Sequence, residues 1–108
     1  MEFATLPVSW RRSTEHVLAR LTTGRFDGVL LVGVAVDEVM FRVEAVARNR
    51  AATAKVDHDA AAWPFDTVDA EGPGSLPATA PCQSMLTALS AQALPARLSQ
   101  DAGDYLCN

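Results

Sequence analysis

Gln83-Ser84-Met85-Leu86-Thr87-Ala88-Leu89-Ser90-Ala91-Gln92-Ala93-Leu94-Pro95-Ala96-Arg97-Leu98-Ser99 reads as a helix handed directly to a strand. Met85, Leu86 and Leu89 recur at the spacing that gathers side chains on one helical face, so a helix is expected from about Gln83 to Gln92. Pro95 marks its exit, because proline has no N–H for the helical ladder and clashes with the preceding turn. Ala96 to Ser99 is then a short strand. A second run, Val29-Leu30-Leu31-Val32, is continuously apolar and rich in β-branched residues, bounded by Asp27-Gly28 and Gly33. That is the pattern of a strand buried on both faces of a parallel sheet. Helix and buried strand together imply the α/β class.

Working outward, Trp10, Thr14, Val17, Leu18 and Leu21 fall at helical spacing and Gly24 follows as a stop. A second amphipathic helix is therefore expected over about 11–22, packed on the sheet. Val39 to Arg48 alternates with period two, which places Met40, Arg42, Glu44 and Val46 on one face and Val39, Phe41, Val43 and Ala45 on the other. Residues 60–81, with Pro64, Pro73, Pro77 and Pro81, read as a long surface loop. In open α/β sheets ligands sit beyond the carboxyl ends of the strands, so Val34, just past Val29–Val32, is placed to line a pocket.

With 108 residues the chain holds one domain and one modest core. A net charge of −4 and no basic stripe argue against nucleic acid or an anionic membrane as partner. No apolar run approaches the ~20 residues of a membrane span, and Met1-Glu2-Phe3 does not open a secretory signal, so a cytoplasmic protein is expected. Cys82 and Cys107 are expected as free thiols. With His16 and His58 they offer no close pair of soft ligands, so no metal site is expected.

The last ten residues, Ser99-Gln100-Asp101-Ala102-Gly103-Asp104-Tyr105-Leu106-Cys107-Asn108, carry the chemistry. A lone cysteine is ordinarily a buried, inert thiol. This segment, however, resembles the nucleophile segment of the pyroglutamyl peptidase I family, cysteine peptidases that remove an amino-terminal pyroglutamate. Upstream, Val32-Gly33-Val34-Ala35 followed by Glu44-Ala45-Val46-Ala47-Arg48-Asn49 is similar in order and spacing to the family's segment around its triad acid. Val68-Asp69-Ala70-Glu71-Gly72-Pro73 is similar to its Asp-Gly-Pro loop, and Leu6-Pro7-Val8 to its second strand.

The resemblance implies Cys107 as nucleophile, Glu44 as the acid that orients a histidine, and Val34 and Tyr105 as contacts of the pyroglutamyl ring. It implies a three-layer α/β/α sandwich with a mainly parallel mixed sheet, truncated: residues 1–108 form a single partial domain, with the family's first strand and catalytic His lying outside them. The implied partner is a peptide with an N-terminal pyroglutamate, no cofactor is implied, and unpaired sheet edges would favour a homo-oligomer. The chain of 108 residues is accordingly expected to be inactive by itself. Within the covered region the family's Gly-Gly-Arg turn reads Val36-Asp37-Glu38, and its Glu-Arg pair reads Glu44-Ala45. These departures suit an alternative, a non-catalytic relative that keeps the scaffold as a binding module. His58 and His16, as a substitute base, are expected to be ordinary solvated side chains.

Overall fold

A computed structural model describes residues 1–107, so Asn108, the end of the cysteine segment, lies outside the described residues. The elements are α1 Trp10–Thr23, β1 Phe41–Glu44, β2 Val46–Arg48, β3 Ser75–Pro77, α2 Cys82–Ala91 and β4 Ala96–Ser99. The fold class is α/β. The helix-to-strand reading of residues 83–99 holds to within a residue: α2 packs on β4 and β1, and β4 runs parallel to β1 with Phe41 opposite Ala96 and Glu44 opposite Ser99. Val43, at the centre of β1, is buried at 7% exposure.

β1 and β2 are one extended run that changes neighbour at Ala45. The Ala45 N–H donates to the Ser99 carbonyl at 2.8 Å, extending the parallel ladder. Its own carbonyl accepts from the Ala78 N–H at 2.8 Å, and β2 then pairs antiparallel with β3, Val46 opposite Pro77. The expected loop 60–81 therefore contains a three-residue strand. Such a strand was hidden because three residues give no period to read, and because Pro77 is confined to the ends and edges of sheets.

Three expectations are corrected. Val29–Val32 forms no strand, and its side chains are 52%, 70%, 66% and 84% exposed. An apolar run records what a segment would bury. A strand also needs neighbours to take its N–H and C=O groups, and among the described residues β1 has β4 beside it instead. Leu6-Pro7-Val8 likewise lies outside any strand. The predicted helix is present as α1, but its polar and ring contacts run to a loop and not to the sheet. Ser9 is its N-cap, 1% exposed, with Oγ accepting from the Arg12 N–H at 3.1 Å. Asp57 accepts from the N–H groups of Trp10 (2.8 Å), Asp59 (2.8 Å) and Ala61 (3.0 Å). Arg12 makes a two-pronged pair with Asp59.

Trp10 connects this loop to the cysteine segment. Its ring lies 5.9 Å from that of Trp63 and meets Tyr105 edge-on at 4.9 Å, a geometry that aromatic quadrupoles favour.

Candidate functional site

Glu44 ends β1 and Cys107 lies near the end of the chain, yet both line one shallow cavity of about 170 Å³. Its other walls are Val46, Ala47, Leu76, Pro77, Ala78 and Ala102. The β1–β2 run brings in Glu44, β3 and the residue after it supply the apolar wall, and the segment beyond β4 carries the thiol. Gly33 closes in from another side: a Cβ built on it would stand 3.2 Å from Cys107 Sγ and meet nothing else within 4 Å. The Val32-Gly33-Val34-Ala35 segment thus passes close to the cysteine at Gly33, although the preceding run forms no strand. Cys107 is exposed, and Val34, 88% exposed, follows directly after the glycine.

Glu44 is half-buried and holds a divided carboxylate. Oε1 pairs with Arg42 Nη2 at 2.9 Å. Oε2 is buried, and among the described residues it has no hydrogen-bond partner. A buried carboxylate oxygen is a strong acceptor whose empty lone pairs cost free energy, so the group is arranged to receive a donor. Cys82, at the start of α2, directs its thiol toward the Glu44 carbonyl at 3.9 Å and supports the acid from behind.

The same Arg42 Nη2 donates to Ser99 Oγ at 3.0 Å and to the Asp101 carbonyl. Glu38, in the acidic turn, accepts from Arg97 Nη2 at 2.6 Å and lies 3.8 Å from Arg42 Nε. The Arg97 hydrogen bond, chiefly, holds the Glu38 carboxyl below its usual range against opposing desolvation, with the Arg97 charge, the Val39 N–H and the Arg42 charge adding to it in that order. Glu38 of the acidic turn is thus paired with Arg97 of β4 and lies within ion-pair distance of Arg42 of β1.

Tyr105 does not line the cavity. Its ring packs on Trp10, Lys55 Nζ stands 5.8 Å from its centroid, and its hydroxyl donates to the Val56 carbonyl at 3.2 Å. Neither His16 nor His58 lines the cavity either, and the His58 N–H donates to the Val8 carbonyl at 2.9 Å. Among the described residues no three His, Cys, Asp or Glu side chains are grouped to hold a metal ion. Among the described residues no helix is long and apolar enough to cross a membrane.

Two residues beside the site went unread in the sequence. Arg42 was placed on the face of Glu44 by period two, but alternation does not say that two charges on one face will pair. Asn49 was quoted in the acid motif without a role. Its Oδ1 accepts from the N–H groups of Val68 and Asp69, both at 2.9 Å, while Nδ2 donates to the carbonyls of Asp69 (2.6 Å) and Gly72 (3.3 Å). Asn49 therefore pins the loop that leads to β3 and the cavity wall.

The sequence model of the pyroglutamyl peptidase family matches residues 1–108. A pyrrolidone-carboxylate peptidase of Brevibacillus brevis is 31% identical over 109 residues, 100% of this chain and 50% of that protein. Another, of Cupriavidus taiwanensis, is 35% identical over 104 residues, 95% of this chain and 48% of that protein. Among solved structures, the pyrrolidone carboxyl peptidase of Fervidobacterium islandicum AW-1 superposes with a TM-score of 0.87 at 28% identity, over 94% of this chain and 49% of that one. That of Thermococcus litoralis gives 0.88 at 28% identity, over 94% and 46%. The chain spans about half the length of the relatives it matches.

Proposed function

Because the chain belongs to the pyroglutamyl peptidase family, we propose that the Glu44–Cys107 cavity is the nucleophile-and-acid half of a cysteine exopeptidase site that cleaves the bond after an amino-terminal pyroglutamate. The observation that carries this reading is the shared cavity: an exposed thiol and a carboxylate with one oxygen unengaged border the same apolar-walled depression. Cys107 Sγ attacks the carbonyl carbon of the pyroglutamyl residue while an imidazole takes the thiol proton. Glu44 Oε2 accepts from the other ring nitrogen and fixes the tautomer. Backbone N–H groups beside the nucleophile steady the oxyanion. Collapse passes the proton to the leaving amine, and water then hydrolyses the thioester to pyroglutamate and free thiol. No cofactor enters these steps.

The histidine in this reading comes from outside residues 1–108, because neither His16 nor His58 lines the cavity. Backbone of the Gly33–Val34 segment, close to the sulfur at Gly33, supplies hydrogen bonds to the lactam. Tyr105, engaged by Trp10, acts chiefly by anchoring the segment that carries the nucleophile.

The test is acylation, because an activated ester needs no protonated leaving group. Incubation with the p-nitrophenyl ester of pyroglutamate should release nitrophenolate and leave a pyroglutamyl mass on Cys107, faster than the prolyl ester does. Equal rates for the two esters, or label on Cys82 in place of Cys107, would overturn the assignment.

A further inference from the structure

Arg42 joins two parts of the chain that are distant in sequence. Its Nη2 pairs with Glu44 Oε1 at 2.9 Å on β1, and also donates to Ser99 Oγ at 3.0 Å and to the Asp101 carbonyl, in the segment that runs from β4 to Cys107. Ser99 is buried at 3% exposure, and its Oγ in turn binds the Asp101 N–H at 3.3 Å, so the far end of the clamp is fixed. The near end is fixed as well. Residues 42 and 44 lie on one face of a strand whose register with β4 sets Arg42 opposite Arg97 and Glu44 opposite Ser99.

Two consequences follow from this geometry. Engagement of Oε1 leaves Oε2 as the oxygen with open lone pairs, so the guanidinium decides which oxygen of the acid is free. It also sets a positive charge against the carboxylate that borders the thiol's cavity, and charges in a partly buried site are screened less than at an open surface. We propose that Arg42 is a positioning residue: it locks the Glu44 carboxylate in register with the segment carrying Cys107 and offsets the negative charge of that carboxylate on the cavity the two residues share. The inference rests on the reading of Glu44 and Cys107 as one site. All three contacts fall on Nη2, which shares its two hydrogens among them, while the buried Nε has no hydrogen-bond partner among the described residues and lies 3.8 Å from Glu38.

The experiment uses the 108-residue chain and alkylation by iodoacetamide at neutral pH, with Cys107 and Cys82 counted separately by peptide mass spectrometry. It needs no turnover, so an absence of peptidase activity leaves it decisive. Variants are Arg42→Met, Arg42→Lys, Glu44→Gln and the double Arg42→Met/Glu44→Gln. Removal of the guanidinium leaves an uncompensated carboxylate on the cavity that Cys107 shares, a negative field that opposes the anionic sulfur of the alkylation step. Arg42→Met should slow Cys107 roughly two- to fivefold, Arg42→Lys should retain most of the rate, and the double variant should return it to within about twofold of Glu44→Gln. Cys107 is already exposed, so a merely structural role would lower the thermal midpoint and leave the Cys107 rate near that of the wild type in every variant. An unchanged or faster rate in Arg42→Met, or a double variant as slow as Arg42→Met, would overturn the proposal. Failure of the family reading shows separately, as loss of ester selectivity at Cys107 with these rate relations intact.

Discussion

Replacement of Gly33 by alanine tests whether the Val32-Gly33-Val34-Ala35 segment stands against Cys107. The new Cβ would sit 3.2 Å from Cys107 Sγ with no other atom inside 4 Å. Ordinary contact between such atoms is about 3.5–4.0 Å, so the sulfur must give way by a few tenths of an ångström. The thiol yields by turning about χ1, and a displacement of about 30° from a rotamer costs on the order of 0.5–1.5 kcal/mol. At 1.4 kcal/mol per factor of ten, the reactive rotamer falls by about two- to tenfold. Gly33 is not in the left-handed region, so its backbone accepts alanine without strain, and the lost chain entropy of the unfolded state adds about 0.4–1 kcal/mol of stability. Alkylation of Cys107 by iodoacetamide, set beside the thermal midpoint, separates the two effects. The expected result is slower alkylation of Cys107 alone, with an unchanged or slightly raised midpoint. A wild-type rate at Cys107 would refute the contact between Gly33 and the thiol.

Further outcomes follow from the same structure. Asn49→Ala removes four hydrogen bonds to the 68–72 loop; at about 0.5–1.5 kcal/mol net each, shared in part with water, it should cost about 2 kcal/mol and speed amide exchange at Val68 and Asp69 in hydrogen-exchange measurements. Ala93, with φ 57°, occupies the left-handed position after α2, where the Leu94 N–H reaches back to the Leu89 carbonyl at 3.0 Å. Ala93→Gly should therefore raise stability by about 1 kcal/mol, read as a shift of the denaturation midpoint in urea. The carboxyls of Glu38, Asp59 and Asp104 are held low chiefly by hydrogen bonds from Arg97, Arg12 and Lys55 respectively. A carboxyl lowered in the folded state stabilises above its ordinary value, 4.5 for Glu38 and 3.8 for the aspartates, and that stability is lost as pH falls through the folded value. The thermal midpoint should decline as pH drops below about 4, and decline less in Arg97→Met, which already lacks the Glu38 partner.

The parts of this fold that were legible in sequence are those whose signals are local. Met85, Leu86, Leu89 and Pro95 bounded α2 because helical spacing and a proline act within a few residues. Alternation over 39–48 put Val43 opposite Arg42 and Glu44 because side chains on a strand must alternate. What was misread depends on neighbours distant in the chain. Val29–Val32 has the composition of a buried strand, yet composition cannot supply the ladder partners that would bury it. The expectation that α1 lies on the sheet failed for a similar reason: the Asp57 carboxylate, which collects three backbone N–H groups, binds the helix start to a loop.

At the site, motif order brought Glu44 and Cys107 to attention, and the structure sets both in one cavity. Arg42 was legible as a position but not as a partner, since its role depends on Ser99 and Asp101 lying across a parallel register. The acidic turn at Val36-Asp37-Glu38 read as a loss of positive charge. In the fold Arg97 and Arg42 return that charge from neighbouring strands.

The central claim is that Cys107 and Glu44 form a nucleophile–acid pair awaiting an imidazole. The most direct measurement is release of a fluorescent amine from a pyroglutamyl coumarylamide by the 108-residue chain, titrated with free imidazole, alongside Cys107→Ala. The account predicts little turnover without imidazole, a rise with its concentration, and loss of that rise in Cys107→Ala. No turnover at any imidazole concentration, or an imidazole-driven rise that survives in Cys107→Ala, would contradict it.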